Sequence, residues 1–513
     1  MTAVSGQDSN LSSIRYAIEQ SQGVLPGSPV FKLTEPNTEP RFGAQLKAVE
    51  REFITEDRMS RKGSIVDIDP GVQIDQDFTL ENQPELLQSF MFAALRKKGE
   101  AATLTTVTST TTFNGTGMGG FAANNLVLAK GFLNPANNGL HVVTSATATT
   151  VVVGSTLVNE TIPAGATLQK VGHQFASADV TVNAAGARPI YVTAAGNFVT
   201  ALGLVAGEEI YVGGDAVANQ YAAAANNGAK RVYSVSSTQL VVDKSQLAMV
   251  TDASATGKSI RFFIGSALKN EQGTSFLRQF VQFERTLGAP DDALPAQVQS
   301  EYVVGAVGSE YSMDVPAADK VTSSMTFMGQ SYETRTGATG VKTATRPDLA
   351  QVDTINTSSD VRRWRVSTMS GAVDEAPTPL FALIERLSMS INNNINRGTA
   401  LGVVGAARFT VGRFSCGGDF DAYFADVAAL DAIRNYADVT IDGFIATQSN
   451  NGLAIDFPVV SLSSDGAAVE QDEPVKLPCE FKAHSGNKYD VTFDHAVCWT
   501  FFPYLPSLAR TVP

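Results

Sequence analysis

Apolar and polar side chains alternate through much of this chain with the two-residue period of a β-strand. In residues 12–33, Ile14, Tyr16 and Ile18 alternate with Arg15, Ala17 and Glu19, and the chain then turns through Pro26-Gly27 and Pro29. The pattern predicts a strand followed by an extended arm. In AVEREFITEDRMSRKGSIVDIDPGVQIDQDFTLE, Val49, Arg51 and Phe53 alternate, a basic loop covers Arg58–Lys62, and Val72, Ile74, Phe78 and Leu80 resume the alternation. Two strands joined by a charged loop are expected. The period then changes: Leu86, Leu87, Phe90, Met91 and Ala94 fall at helical spacing, with Asn82 as N-cap, Pro84 in the first turn and Lys97, Lys98 and Gly99 where a helix would end. One amphipathic helix is expected to pack on the sheet.

From about residue 100 to 265 the chain becomes rich in Ala, Thr, Gly, Asn and Val, which reads as an inserted region. Inside it, ANNGLHVVTSATATTVVV (136–153) matches ANNGAKRVYSVSSTQLVV (225–242) at a constant offset, each Asn-Gly supplying a residue tolerant of positive φ at a turn. Strand-like SFLRQFVQFERTLG, EYVVGAVGSEYSMDV and KVTSSMTFMGQSYE follow, and then a second copy of the opening plan. Leu387, Met389 and Ile391 alternate, then Phe409, Val411, Phe414 and Cys416, and Asp426 caps a helix with Val427, Leu430 and Ile433 on one face. KVTSSMTFMGQ (320–330) aligns with PVKLPCEFKAH (474–484), pairing Val321 with Val475, Met325 with Cys479 and Phe327 with Phe481. A duplication interrupted by an insertion accounts for this order.

Composition narrows the function. With 43% hydrophobic and 17% charged residues the chain has the material for packed domains, and a length of 513 residues predicts more than one of them. A net charge of −13 is the wrong sign for gripping nucleic acid by phosphate neutralisation. Cys416, Cys479 and Cys498 lack C-x-x-C spacing and sit in apolar strands, as buried thiols of a reducing compartment do. The first residues hold no basic and apolar secretory pattern, so the chain is expected to start in the cytosol, and no apolar stretch long enough to span a membrane is found.

Catalytic motifs are wanting. Gly115-Thr-Gly-Met-Gly-Gly120 satisfies G-x-G-x-x-G, but it follows a Thr-rich strand and opens no helix, so a turn is expected there. His141, His173, His484 and His495 are scattered without i+3 or i+4 partners, and His484 and His495 flank Gly486-Asn487, which suggests a hairpin or surface location. No nucleophile elbow, Walker loop or framed acid pair is present, so no catalytic, cofactor or metal residue is assigned and the chain is read as a non-enzyme.

The segments SSIRYAIEQSQGVLPGSPVF, VEREFITEDR with LLQSFMFAAL, SFLRQFVQFER, VTSSMTFMGQ and SMSINNNINR with VVG resemble, in that order, the tail tube (major tail) proteins of long-tailed bacteriophages. The resemblance implies a mainly β chain of two tandem tail-tube-type β-sandwich or barrel domains, each with a flanking α-helix, plus an inserted β-rich lobe. The boundaries it implies are 1–100 with 266–345 for the first domain, 101–265 for the lobe with its Asn-Asn-Gly motifs, and 346–513 for the second domain. It implies a virion protein assembled in the host cytoplasm. Copies of the chain would form a homotrimeric ring of pseudo-sixfold symmetry, stacked into a tube with other tail proteins around a channel for transient, non-specific DNA passage, with no membrane insertion. The loops Arg58–Ser64 and Asn396–Leu401 occupy equivalent places, so Arg58, Arg61, Lys62, Asn396 and Arg397 are the candidate inter-ring contacts. The Asn-Asn-Gly motifs keep open a second reading, a β-rich receptor-binding or decoration protein of a virion.

Overall fold

The computed structural model describes residues 12–38, 40–50, 59, 62–252, 257–287, 299–337, 340–348, 352, 354–368, 376–381, 383–424, 426–469, 471–488 and 492–511. Arg51, Phe53, Arg58 and Arg61 lie outside them. The chain is mainly β, with several antiparallel sheets. It forms two compact units, one from Met1–Ala93, Glu271–Ile355 and Arg386–Gly418, the other from Ala94–Asn270, Asn356–Glu385 and Asp419–Pro513.

Outside residues 94–270 the principal elements, in chain order, are β1 (Ser13–Ile18), β2 (Arg41–Val49), β3 (Ser64–Asp77), α1 (Gln83–Met91), β4 (Val281–Leu287), β5 (Gln299–Val315), β6 (Thr322–Met328) and β7 (Ser331–Thr336). They continue with β8 (Val361–Thr368), β9 (Ile384–Asn392), β10 (Asn396–Gly398), β11 (Arg408–Thr410), β12 (Ser415–Tyr423), α2 (Val427–Arg434), β13 (Val439–Ala446), β14 (Gly452–Ser463), β15 (Lys476–His484) and β16 (Cys498–Phe502).

Unit one is built on one long strand that serves two sets of partners. The first part of β5 lies between β4 and β7, and β4 carries β1 on its other edge. The chain bends where Gly305 adopts φ +64° and a register shift follows Gly308. Beyond the bend, β5 lies between β6 and β9, and β6 continues to β3 and β2. The alternation sends Val72, Ile74, Met325, Phe327, Tyr311, Met313, Leu387, Met389 and Ile391 into the core. There Phe327 meets Phe283 of β4 at 4.7 Å and Phe90 of α1 at 4.9 Å.

Helix α1 is held tightly. Leu86, Leu87 and Phe90 are fully buried. A Cβ on Gly308 would stand 2.7 Å from the Phe90 ring, so glycine is what lets the sheet approach the helix. The buried Asn393 amide donates to the carbonyls of Phe90 (2.9 Å) and Gly308 (3.0 Å), tying helix to strand. Asn393→Ala leaves both carbonyls unpaired and is expected to cost about 2 kcal/mol, read as a lower denaturation midpoint with unchanged slope.

Two details differ from the sequence expectation. Asn82 starts α1 but its side chain does not cap it; the amide donates to the Leu33 carbonyl (2.9 Å) and accepts from the Tyr16 hydroxyl (3.3 Å). The helix also ends at Met91, not near Lys97, because Phe92 turns left-handed (φ +48°) and buries its ring with Val307, Ala406 and Phe409.

Unit two repeats the order of unit one. β14 lies between β13 and β16 over its first part and pairs with β15 over its last, β13 carries β8 on its other edge, and β15 neighbours β12, whose residues from Asp419 belong to this unit. The correspondence runs β1 to β8, β3 to β12, α1 to α2, β4 to β13, β5 to β14, β6 to β15 and β7 to β16. Helix α2 is capped by Asp426, which accepts from the Ala428 amide at 3.2 Å. Its apolar face packs far less than α1: only Ala429 is buried and Val427 is exposed.

Residues 101–264 belong to unit two and contain a repeat of their own. Strands Thr103–Thr108, Thr112–Thr116, Asn125–Lys130, Gly139–Ala146, Thr150–Val153 and Thr167–Gln174 correspond in order and pairing to Val180–Asn183, Ile190–Thr193, Glu209–Val212, Gly228–Val235, Gln239–Asp243 and Arg261–Ile264. The two sets meet where Thr167–Gln174 pairs with Arg261–Ile264. Asn138 closes its turn by exchanging bonds with the Phe132 backbone (3.0 and 2.8 Å), and Asn227 does the same with Tyr221 (2.8 and 2.9 Å). Gly139 and Gly228, which follow them, adopt φ +107° and +93°.

Unit two also buries a cluster of charges. Arg231 grips Asp243 with two bonds of 2.8 Å, and Asp442 is held by Arg363 Nε (2.6 Å) and Arg365 Nε (2.8 Å). Burial would raise the Asp442 carboxyl, but Arg363, Arg365 and Lys244 outweigh it and hold it down to about 2. An acid depressed in the folded state stabilises above its unfolded value, about 4, and that stability fades as pH falls through it toward the folded value. Acid unfolding of the wild type is therefore expected to steepen between about pH 4 and pH 2. Asp442→Asn strands two buried guanidinium groups and is expected to cost about 3–5 kcal/mol at neutral pH, by denaturant titration.

Candidate assembly surfaces

The core of unit one fills one face of the β2–β3–β6–β5–β9 sheet, so the period of two sends the intervening side chains to the opposite face. Three registers cross four strands there: Gln73, Thr326, Glu310 and Asn392; Asp75, Ser324, Ser312 and Ser390; Asp77, Thr322, Asp314 and Ser388. Every one of these positions is half-buried or exposed, and none is lysine or arginine. The groups are knitted to one another: Ser324 donates to Asp75 (2.5 Å) and Asn392 to Glu310 (2.9 Å). Cations stand at the margin, Lys320 on Asp77 (2.8 Å) and Arg386 on Asp314 (3.2 Å). The result is a flat hydroxyl, amide and carboxylate surface.

At the edge of this sheet the β2–β3 hairpin continues beyond the core. Gln45–Val49 and Ser64–Val66 are exposed, with Leu46 at 63%, Val49 at 60%, Ile65 at 57% and Val66 at 49% of their full accessibility. The β10–β11 hairpin (register Arg397↔Phe409) packs beside the base of this arm, where the Gly405 amide donates to Asp67 (3.1 Å), and it presents Leu401, Val403 and Val404 to solvent. Apolar side chains gathered in this number on a surface mark a contact site.

The candidate contact residues fall out as follows. Lys62 is exposed just before β3, and Asn396 is exposed at the start of β10. Arg397 is committed within the chain: its guanidinium pairs with Asp67 (2.7 Å), Asp69 (3.1 Å) and the Ile68 carbonyl. Burial alone would raise the Asp67 carboxyl, but the Gly405 and Ile68 amides and Arg397 hold it below the usual carboxylate range. Arg397 thus braces the β10–β11 hairpin against β3. Sequence does not single out these apolar arm residues, because Leu46, Val49, Ile65 and Val66 are ordinary strand-forming side chains and only the fold shows that no core covers them.

The remaining sequence candidates are placed as follows. Gly115-Thr-Gly-Met-Gly-Gly120 spans a strand end and one 3-10 turn, Met118–Gly120. His495, expected at a hairpin or surface, is fully buried. His141 is packed away with Ser155 and the Asn137 carbonyl, and burial lowers its imidazole. Burial pushes the Cys416 and Cys479 thiols up to about 12 and raises Cys498 as well, which makes them inert. Among the described residues no group of three or more His, Cys, Asp or Glu side chains is placed to hold a metal ion, and no helix is long and apolar enough to cross a membrane.

A comparison with curated proteins finds no match. A family model described as phage tail tube protein matches residues 183–483, more than half of the 513-residue chain. That match, over a mainly β chain, shows that the chain belongs to the phage tail tube protein family.

Proposed function

We propose that three copies of this chain close into a ring of pseudo-sixfold symmetry, that rings stack through the β2–β3 arm, and that the polar face of the β3–β6–β5–β9 sheet lines the channel for DNA. The polar face carries this reading. Duplex DNA is a dense row of phosphates, and each lysine or arginine in contact with it releases counterions and adds affinity. A wall meant for sliding needs hydration without cations. Twelve adjoining positions with hydroxyl, amide and carboxylate groups and no lysine or arginine supply that.

The shared strand order of the two units supports the ring of three, since each chain would bring two copies of one building block. Edge strands support ring formation too: β2 pairs only with β3 among the described residues, and closure into a barrel is a common way to satisfy such an edge. Arg58, Arg61 and Lys62, between β2 and β3 in the sequence, would meet carboxylates of the next ring in an acidic protein, adding a salt-sensitive part to the stacking. Assembly would take place in the host cytoplasm and the product would be the virion tail tube, joined by other tail proteins. Image reconstruction of assembled tubes tests the scheme: three chains per ring with Ser312 and Ser390 on the inner wall is the expected result, and six chains per ring or an outward-facing sheet would sink it.

A further inference from the structure

Lys244 and Asp456 meet inside unit two with no access to water. Lys244 is 0% and Asp456 1% exposed. The Lys244 Nζ lies directly against Asp456 Oδ1 and donates to Thr440 Oγ1. Asp456 Oδ2 accepts from Arg231 Nη1 at 3.3 Å. Glu209, 1% exposed and within electrostatic reach of both, has both carboxyl oxygens buried without a hydrogen bond; Arg363 Nη2 stands 3.7 Å away. Asp442, Glu209's other charged neighbour and the cross-strand partner of Asp456, is already taken by Arg363 and Arg365.

An amine touching a carboxyl group in a dry site has the arrangement that makes condensation favourable. The reacting atoms are preorganised, which is worth many orders of magnitude in effective concentration, and two buried charges are exchanged for a neutral amide, which removes their desolvation cost. The neighbours would keep their bonds. An amide N–H at Nζ still donates to Thr440, an amide oxygen at Asp456 still accepts from Arg231, and Arg231 keeps its two bonds to Asp243.

We propose that Lys244 and Asp456 join in a spontaneous intramolecular isopeptide bond, with Glu209 as the proton relay. Lys244 Nζ passes one ammonium proton to the Asp456 carboxylate it touches and attacks Asp456 Cγ; the new Nζ–Cγ bond forms, and one Cγ–O bond breaks. Ammonium and carboxylate together yield one amide and one water, so no oxidant, nucleotide or other co-reactant is required. Glu209 takes the second proton from Nζ and returns it to the departing hydroxyl, which leaves as water. Burial raises the Glu209 carboxyl to about 7, with Arg363 opposing and Asp442 and Asp456 adding to the rise, so both its protonation states are populated near neutral pH. The bond would weld the inserted strands to the β13–β14 hairpin.

Mass spectrometry of the purified full-length chain decides the matter. After allowance for removal of the initiator methionine, the denatured protein is expected to weigh one water, about 18 Da, less than its sequence. Proteolysis is expected to yield one branched peptide joining the segments of Lys244 and Asp456. An unreduced mass, or a reduced mass with those segments recovered separately, overturns the bond. Glu209→Gln is expected to fold, shown by an unchanged circular dichroism spectrum, and to form the branched peptide at least about tenfold more slowly. A Glu209→Gln chain cross-linked as fast as wild type would remove Glu209 from the mechanism and leave the bond standing. Asp456→Ala, which lacks the electrophile, is the control for the branched peptide.

Discussion

Leu46→Asp together with Ile65→Asp is expected to leave a folded chain that no longer builds tubes. Leu46 and Ile65 are more than half exposed in the single chain, so replacing them removes little that the monomer uses. In a stacked ring they would be covered, and burying a side chain of this size contributes about 1.5–3 kcal/mol. Two of them lost per chain, with two carboxylates to desolvate instead, raises the concentration needed for assembly by about a thousandfold or more. Sedimentation and negative-stain microscopy read the outcome: rings or single chains in place of tubes, at unchanged melting temperature. The charge reversal Arg58→Glu, Arg61→Glu and Lys62→Glu separates the two parts of the arm. It should weaken stacking most at low salt, where these charges are least screened, whereas the aspartate pair should abolish it at any salt. Tubes of normal length from the aspartate pair would show that the arm is not the stacking contact.

The strands of unit one were legible because one face of each meets the core and the other meets solvent. Val72, Ile74, Met325, Phe327, Leu387, Met389 and Ile391 all point inward, and the polar residues between them point away. The same alternation hid what distinguishes one polar face from another. A serine or aspartate on a strand signals exposure, but only register shows that Asp75, Ser324, Ser312 and Ser390 form a single row. The bend in β5 was likewise invisible, since Gly305 reads as an ordinary glycine in a β-rich run until its positive φ and the change of partners are seen. Helix ends proved least legible. Lys97, Lys98 and Gly99 suit a terminus by composition, yet Phe92 stops the helix earlier because its ring has a core of its own to fill.

The buried charges are only half legible in the sequence. Asp442 and Asp456 stand in the middle of the apolar runs VTIDGFIA and GLAIDFPVV, where no solvent face exists to receive them. A charge in such a run must find a partner brought from elsewhere in the chain. Here the partners are Arg363 and Arg365 on β8 and Arg231 and Lys244 from the insertion. Their distance along the chain is what sequence spacing cannot convey. The insertion is bound to the C-terminal part of unit two by these pairs, as well as by the pairing of Ser266–Lys269 with β16.

Ser312→Lys together with Ser390→Lys is expected to turn the channel from a passage into a trap. Both serines are exposed, lie directly opposite each other in the β5–β9 register, and belong to the face proposed as the inner wall. Two lysines there repel by about 0.2–1 kcal/mol, too little to unfold the unit, so tubes should assemble in normal number. Their effect on DNA is larger because rings repeat along the tube: each phosphate neutralised adds about 0.9 to the slope of log affinity against log salt. Six to ten simultaneous contacts correspond to a change of about 10³–10⁵ in affinity between 50 and 200 mM salt. Virions carrying the variant are expected to attach normally but to release their DNA slowly or incompletely, and to recover as ionic strength rises. Ser312→Glu with Ser390→Glu places side chains of similar reach and opposite charge at the same positions, and should leave release close to wild type. Equal impairment by lysine and glutamate would mean that bulk, not charge, obstructs the passage, and no impairment by lysine would mean that this face does not meet the DNA.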